Sequence, residues 1–226
     1  MTIETLDVTD DPAVLRAELA ALRRELARKD VLLRELAHRA QNGPEALAAL
    51  IAQEVRQVRD PAARAALEMA GDRVAALARV HELLARHEQE ARVALCPVLR
   101  ELFQALGRAL SAEDRRIAIS VGGLAPPLPA ERALPLALIA HELVANALRY
   151  GFRGRAGGRV EVQLREREGG LVLTVRDDGI GISEKTLRTG STGLWLVRAL
   201  AAQIEADVQF RREDGTVVTV AVPPPR

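Results

Sequence analysis

The sequence predicts an α plus α/β protein: an N-terminal helical hairpin suited to a dimeric four-helix bundle, then an α/β sandwich. Three observations predict it. Leu15, Leu19, Leu22, Leu26, Leu33 and Leu36 recur at coiled-coil spacing, the mark of a helix that needs a partner. A second helical stretch follows the Asp60-Pro61 break, and two helices joined by a short turn form an antiparallel hairpin that cannot bury its own seam. Beyond Ala91 the texture changes to helices interleaved with alternating apolar runs, the pattern of a sheet with one covered face. The expected domains are 12–92, a coiled-coil lead-in and hairpin, and 95–226, the sandwich.

Taking the elements in order, the acidic leader MTIETLDVTDD precedes the first helix, where Lys29 interrupts the leucine seam and Glu18, Arg23, Glu25 and Arg28 lie outside it. The second helix is expected from about Pro61 to Glu90, with Leu67, Val74, Leu77, Val80 and Leu84 as its apolar stripe. A helix from about Cys96 to Leu110 leads into the strand-like RIAISV at 116–121 and a proline-rich turn. A long apolar helix bearing Asn146 comes next. Val160, Val162 and Leu164, then Leu171, Leu173 and Val175, flank Gly169-Gly170 as a hairpin. A helix over roughly 192–204 and a closing hairpin at Asp214-Gly215 complete the chain.

Composition narrows the function. A net charge of +1 gives no general attraction to nucleic acid or an anionic membrane surface, so binding must come from a local site. Cys96 is the only cysteine, which excludes an intrachain disulfide and suits a reducing compartment. No apolar run approaches the roughly 20 residues of a membrane span, so a soluble cytoplasmic protein without direct membrane insertion is expected. The two lysines, Lys29 and Lys185, lie in no G-x-x-x-x-G-K-[ST] loop, which excludes a P-loop nucleotide site. Four scattered histidines beside one cysteine argue against zinc.

Three stretches carry the chemistry: AHELVANALRYG at 140–151, VRDDGIGI at 175–182 and TGSTGLWLV at 189–197. In the first, Glu142, Asn146 and Arg149 fall on one face of an apolar helix, and a mid-helix amide among leucines needs a partner. The second ends a strand in an Asp-x-Gly-x-Gly turn, and the third is a glycine loop opening a helix. This order resembles the Bergerat ATP-binding fold of the GHKL superfamily. The stretches LLRELAHRAQN at 32–42 and RVHELL at 79–84 resemble the phosphoacceptor hairpin of bacterial sensor histidine kinases, in the HWE-like subfamily where Arg follows the acceptor His.

The resemblance implies an ATP-dependent protein histidine kinase that phosphorylates His38 and passes the phosphoryl group to an aspartate of a response regulator receiver domain. ATP and Mg²⁺ are the implied cofactors and a homodimer the implied assembly. Asn146 is implied as the metal ligand, with Arg149 and Tyr150 at the phosphates. Asp177 is implied as acceptor of the adenine amine, with Gly179 and Gly181 letting the backbone approach the base. Gly190, Gly193 and Leu194 belong to the loop and helix start that face phosphate oxygens. Thr219 stands where the superfamily often has a threonine near the adenine. Glu142 either polarises the attacking group or merely orders its neighbours, and Asp178 is expected to face solvent. Members of the family usually carry a sensor domain ahead of the hairpin, for which this chain leaves almost no room.

His38 falls at heptad position f, farthest from the seam, when Leu36 is d and Ala40 is a. A neutral imidazole has a free lone pair that can attack the γ-phosphorus, so only the other ring proton must leave. Glu35 is either its acceptor or a surface ion-pair member. His81 is expected to be structural or superficial. Gly43-Pro44, just over one turn past His38, is expected to bend the helix, as a functional hinge or as a passive kink. Two rival readings stand beside it: a phosphotransfer adaptor without ATP binding, and a GHKL ATPase using Glu142 to activate water.

Overall fold

The computed structural model describes residues 19–21, 25, 29, 43–89, 92–112, 116–183, 187 and 191–224. His38, Gly190 and most of the expected leucine seam lie outside these residues. The helical segments that build the domain are α1, described over 43–55, α2 over Pro61–His87, α3 over Leu95–Ala112, α4 over Ala130–Asn146 and α5 over Thr192–Gln203. The strands are β1 Glu88–Gln89, β2 Arg92–Val93, β3 Arg116–Leu124, β4 Leu128–Pro129, β5 Gly157–Arg167, β6 Gly170–Asp177, β7 Asp207–Arg212 and β8 Thr216–Val222. Gly43 and Pro44 are the first described residues of α1, and the expected bend before them lies outside the description.

Asp60 ends the connection between α1 and α2 as the sequence predicts, its carboxylate accepting from the Ala62 amide at 3.1 Å and its carbonyl from Arg64 N at 2.9 Å. The two helices touch where Gly71 leaves room for Ile51: a Cβ on Gly71 would lie 3.2 Å from Ile51 Cγ2. The first part of α2 is exposed, whereas Val80 and Leu83 are wholly buried.

The five-stranded sheet has the order β3-β5-β6-β8-β7, with β3 parallel to β5 and the other pairs antiparallel. Strict alternation turns Val160, Val162 and Leu164 of β5, Leu171, Leu173 and Val175 of β6, and Val218, Val220 and Val222 of β8 to one face, where α3, α4 and α5 cover them. Glu161, Gln163, Arg165, Thr174 and Arg176 occupy the other face, which is open. The core does not stop at the expected domain border: Val80, Leu83 and Leu84 of α2 belong to the same buried cluster as Leu136, Ile139 and Val144 of α4. A small sheet, β1-β2-β4, ties the segment after α2 to the segment before α4.

Leu173 sits at the centre of the covered face with no exposure. Leu173→Ala should lower unfolding free energy by about 2–5 kcal/mol through lost burial and the cavity left behind. Val172→Thr, on the opposite face of the same strand, should change it by less than about 1 kcal/mol. Urea titrations of the two variants check the difference.

Candidate functional site

The sheet and α4 diverge at one end around a cavity of about 340 Å³. Its walls come from the C-terminal end of α4, the turn after β6, the start of α5 and the β7–β8 hairpin. After Asn146 the helix widens into a π-helical turn, Ala147–Gly151, which places Tyr150 and Gly151 on the rim. Single π turns are frequent at functional sites, and here the wider turn is stitched to the β6 loop by Ile180 N donating to Gly151 O at 2.9 Å.

Asp177 closes β6 at the apolar end of the cavity, among Val175, Ile180 and Val218. It is 5% exposed. Its Oδ1 accepts from Gly179 N at 2.9 Å and Thr216 N at 3.2 Å. The second oxygen takes no hydrogen bond from the described residues, and no side-chain oxygen or nitrogen among them is both sealed and unpaired. That oxygen therefore opens on the cavity, placed to accept from a ligand's N–H. Gly179 and Gly181 hold the turn. A Cβ on Gly179 would overlap Gly151 O, and Gly181 has φ +77°, where a side chain is strained. Asp178 points outward, its Oδ1 accepting from Arg159 N at 2.7 Å.

At the polar end, Asn146 lines the cavity and its amide makes no hydrogen bond with the described residues. Leu194 lines it too, and its N–H donates at 3.3 Å to Ser191 Oγ, the side chain that caps α5. Gly193 lies directly under Glu142: a Cβ there would overlap Glu142 Oε1 and come within 3.1 Å of Asn146 Nδ2. Glu142 itself is not free. Arg73 of α2 grips it at two points, Nη2 to Oε1 at 2.7 Å and Nε to Oε2 at 3.0 Å. These bonds also raise the guanidinium's own pKa against the opposing effect of burial.

Two expected site residues stand elsewhere. Arg149 turns from the cavity to α2, where Nη2 donates to Asp72 Oδ2 at 2.9 Å. Thr219 does not reach the cavity: β8 alternates, so Val218 and Val220 face inward while Thr219 lies on the open face between Thr174 and Gln209. Thr216, opposite Asp177 in register, lines the cavity instead. Tyr150 lines the rim, its hydroxyl near Met69 Sδ at 3.7 Å and its ring under Arg153 at 5.0 Å.

Residues 131–226 match the family of histidine kinase-, DNA gyrase B- and HSP90-like ATPases, and residues 35–110 match a family described as histidine kinase. The chain belongs to the histidine kinase family. It is similar to the sensor histidine kinase PdtaS of Mycobacterium tuberculosis H37Rv, 32% identical over 206 residues, which is 88% of this chain and 41% of that protein. Blue-light-activated histidine kinase 2 of Erythrobacter litoralis is 35% identical over 127 residues, 52% of this chain and 37% of that protein. The chain thus spans about two-fifths of the length of these curated relatives. The histidine kinase domain of an Erythrobacter litoralis blue-light activated histidine kinase shares the fold, with a TM-score of 0.60 at 24% identity over 79% of this chain and 95% of that one.

Against this family background, the residues that sequence reasoning missed come from far away in the chain. Arg73, Asp72 and Met69 of α2 face α4, and Phe210 and Thr216 enter from the last hairpin. The one signal for Arg73 was its spacing: Met69, Arg73, Ala76, Val80, Leu83 and Leu84 form a single helical face, a charge embedded in an apolar stripe. Among the described residues no group of three or more His, Cys, Asp or Glu could hold a metal by itself. A cation at this site would take Asn146 Oδ1 and complete its shell from ligand phosphates and water.

His141, next to Glu142, is held below its ordinary pKa, first by burial and then by Arg149, against the opposing pull of Glu142 and Asp72. Its unfolded form titrates near 6.5, so its stabilising contribution is complete above about pH 6.5 and is lost as pH falls through the lowered folded value. Urea midpoints should therefore fall more steeply on acidification in the wild type than in His141→Gln.

Proposed function

We propose that the protein is an ATP-dependent protein histidine kinase of a two-component system, phosphorylating His38 and passing the group to an aspartate of a response regulator receiver domain. The observation that carries the reading is Asp177, whose backbone-anchored carboxylate offers one oxygen to an otherwise apolar cavity. Such a slot suits adenine, a flat apolar ring with an exocyclic amine. Asn146 and the N-terminus of α5 lie where the phosphates would leave it. The domain division at 12–92 and 95–226 belongs to this proposal.

The chemistry needs little from the protein beyond positioning. A neutral His38 nitrogen attacks the γ-phosphorus, the N–P bond forms as the bond to the β-bridging oxygen breaks, ADP leaves, and the other ring proton passes to water or Glu35. Mg²⁺ would neutralise phosphate charge, held on the protein side by Asn146. Glu142, occupied at both oxygens by Arg73, supports phosphotransfer to histidine over the hydrolytic reading. Leu47 and Leu50, 49% and 60% exposed on α1, support a homodimer through the hairpin. No helix among the described residues is long and apolar enough to cross a membrane, in keeping with a cytoplasmic bacterial protein.

Incubation with γ-labelled ATP and Mg²⁺ should label the protein with an acid-labile, alkali-stable phosphoramidate. His38→Ala should remove the label while leaving nucleotide binding intact; normal labelling of that variant would exclude His38.

Asp177→Asn keeps an oxygen for Gly179 and Thr216 but turns the ligand-facing acceptor into a donor. Its nucleotide affinity should fall about 10–100-fold, the scale set by a hydrogen-bonding site left mispaired. Calorimetric titration with ATP checks this.

A further inference from the structure

The hairpin and the sandwich meet along a polar seam as well as an apolar one. Met69, Asp72 and Arg73, on one face of α2, reach Tyr150, Arg149 and Glu142 on α4 and the turn that follows it. Two of these contacts are superficial. The third is not: the side chains of Arg73 and Glu142 are 22% and 4% exposed, and the guanidinium meets the carboxylate in a two-point fork. Gly193 then sits on the pair. A Cβ there would overlap Glu142 Oε1 and lie 3.2 Å from Arg73 Nη2 and 3.1 Å from Asn146 Nδ2. Three distant segments, α2, α4 and the first turn of α5, converge on one carboxylate, and Asn146 and Leu194 beside it line the cavity.

A buried carboxylate stripped of its partner is strongly unfavourable and moves or takes up a proton. The place of Glu142 therefore depends on where α2 presents Arg73. The loop at Gly193 touches the carboxylate with no side chain between, so its place depends on Glu142 in turn. We propose that Arg73 is a positioning residue through which the hairpin sets the nucleotide site. The α5 loop keeps its binding position while α2 presents Arg73 to Glu142. Displacing the hairpin lowers nucleotide affinity, and by reciprocity a bound nucleotide steadies α2 against α4. This rests on the nucleotide reading of the cavity. Lysine is a poor substitute, since an ammonium cannot span both carboxylate oxygens as the planar fork does.

The test uses the full chain, titrated with a non-hydrolysable ATP analogue, with amide hydrogen exchange followed across 61–80 with and without the analogue. Wild type should bind, and binding should slow exchange in α2. Arg73→Met should lose about tenfold in affinity, within the usual range for coupled sites, and Arg73→Lys a smaller factor. Arg73→Met combined with Glu142→Gln removes the stranded charge. It should regain most of the affinity yet show no analogue-dependent protection of α2, an outcome that loss of packing alone would not produce. If Arg73→Met does not fold, Arg73→Lys and Glu142→Gln decide, each expected to weaken both binding and protection. Wild-type affinity in the single variants, or α2 protection that persists in the double variant, overturns the proposal. Failure of the wild type to bind any analogue overturns the nucleotide reading itself.

Discussion

The cavity depends on one buried carboxylate at the end of a strand. Asp177 accepts from Gly179 N ahead of it and Thr216 N across the sheet. The first bond folds the turn after β6 back over the strand end, and the second fixes how far β8 slides along β6. Backbone N–H groups bonded to a charged acceptor are about twice as strong as neutral pairs, so the mouth of the cavity is held by bonds that do not include its ligand. Gly215 shows how close the approach is: it has φ +134°, and a Cβ there would overlap the Asp177 carbonyl. The site is thus shaped before anything binds, which lowers the ordering cost of binding.

The π-helical turn serves the same end from the other side. A regular α-helix continued past Asn146 would rotate Tyr150 and Gly151 by a different step and carry the Gly151 carbonyl away from Ile180. Widening the turn leaves that carbonyl free to accept from Ile180 N. Gly179 completes the fit, because any larger residue would strike the same carbonyl. Helix end and strand end are therefore joined by backbone alone, and the side chains between them are left to line the cavity.

Much of this was legible in the sequence because it is local. The Val160–Val175 alternation, the turn glycines and the apolar helix carrying Asn146 each announce themselves within a dozen residues, and α2, α3 and α5 stand within a few residues of their expected limits. What was not legible depends on distance or register. Arg73 and Glu142 are 69 positions apart, and no spacing rule connects them. Thr216 rather than Thr219 reaches the cavity because β8 pairs so that Thr216 faces Asp177, and odd and even positions go to opposite faces. Arg149 shares a helical face with Glu142 and Asn146, yet that face is wide enough to be divided between the cavity and α2. Periodicity names a face; only packing says what lies against it.

The way α2 is held explains where movement between hairpin and sandwich is cheapest. Its C-terminal part enters the core through Val80, Leu83 and Leu84, apolar contacts that are lost in full if the helix lifts. Its earlier part is held by Met69, Asp72 and Arg73, of which only the Arg73 pair is shielded from water. Asp72 is 64% exposed, and an ion pair so open to solvent exchanges with water at little net cost. A swing of α1 and the start of α2 about the buried segment would thus break two weak contacts and one strong one. The strong one is the contact that touches Gly193 at the start of α5, so such a swing cannot occur without changing the wall of the cavity.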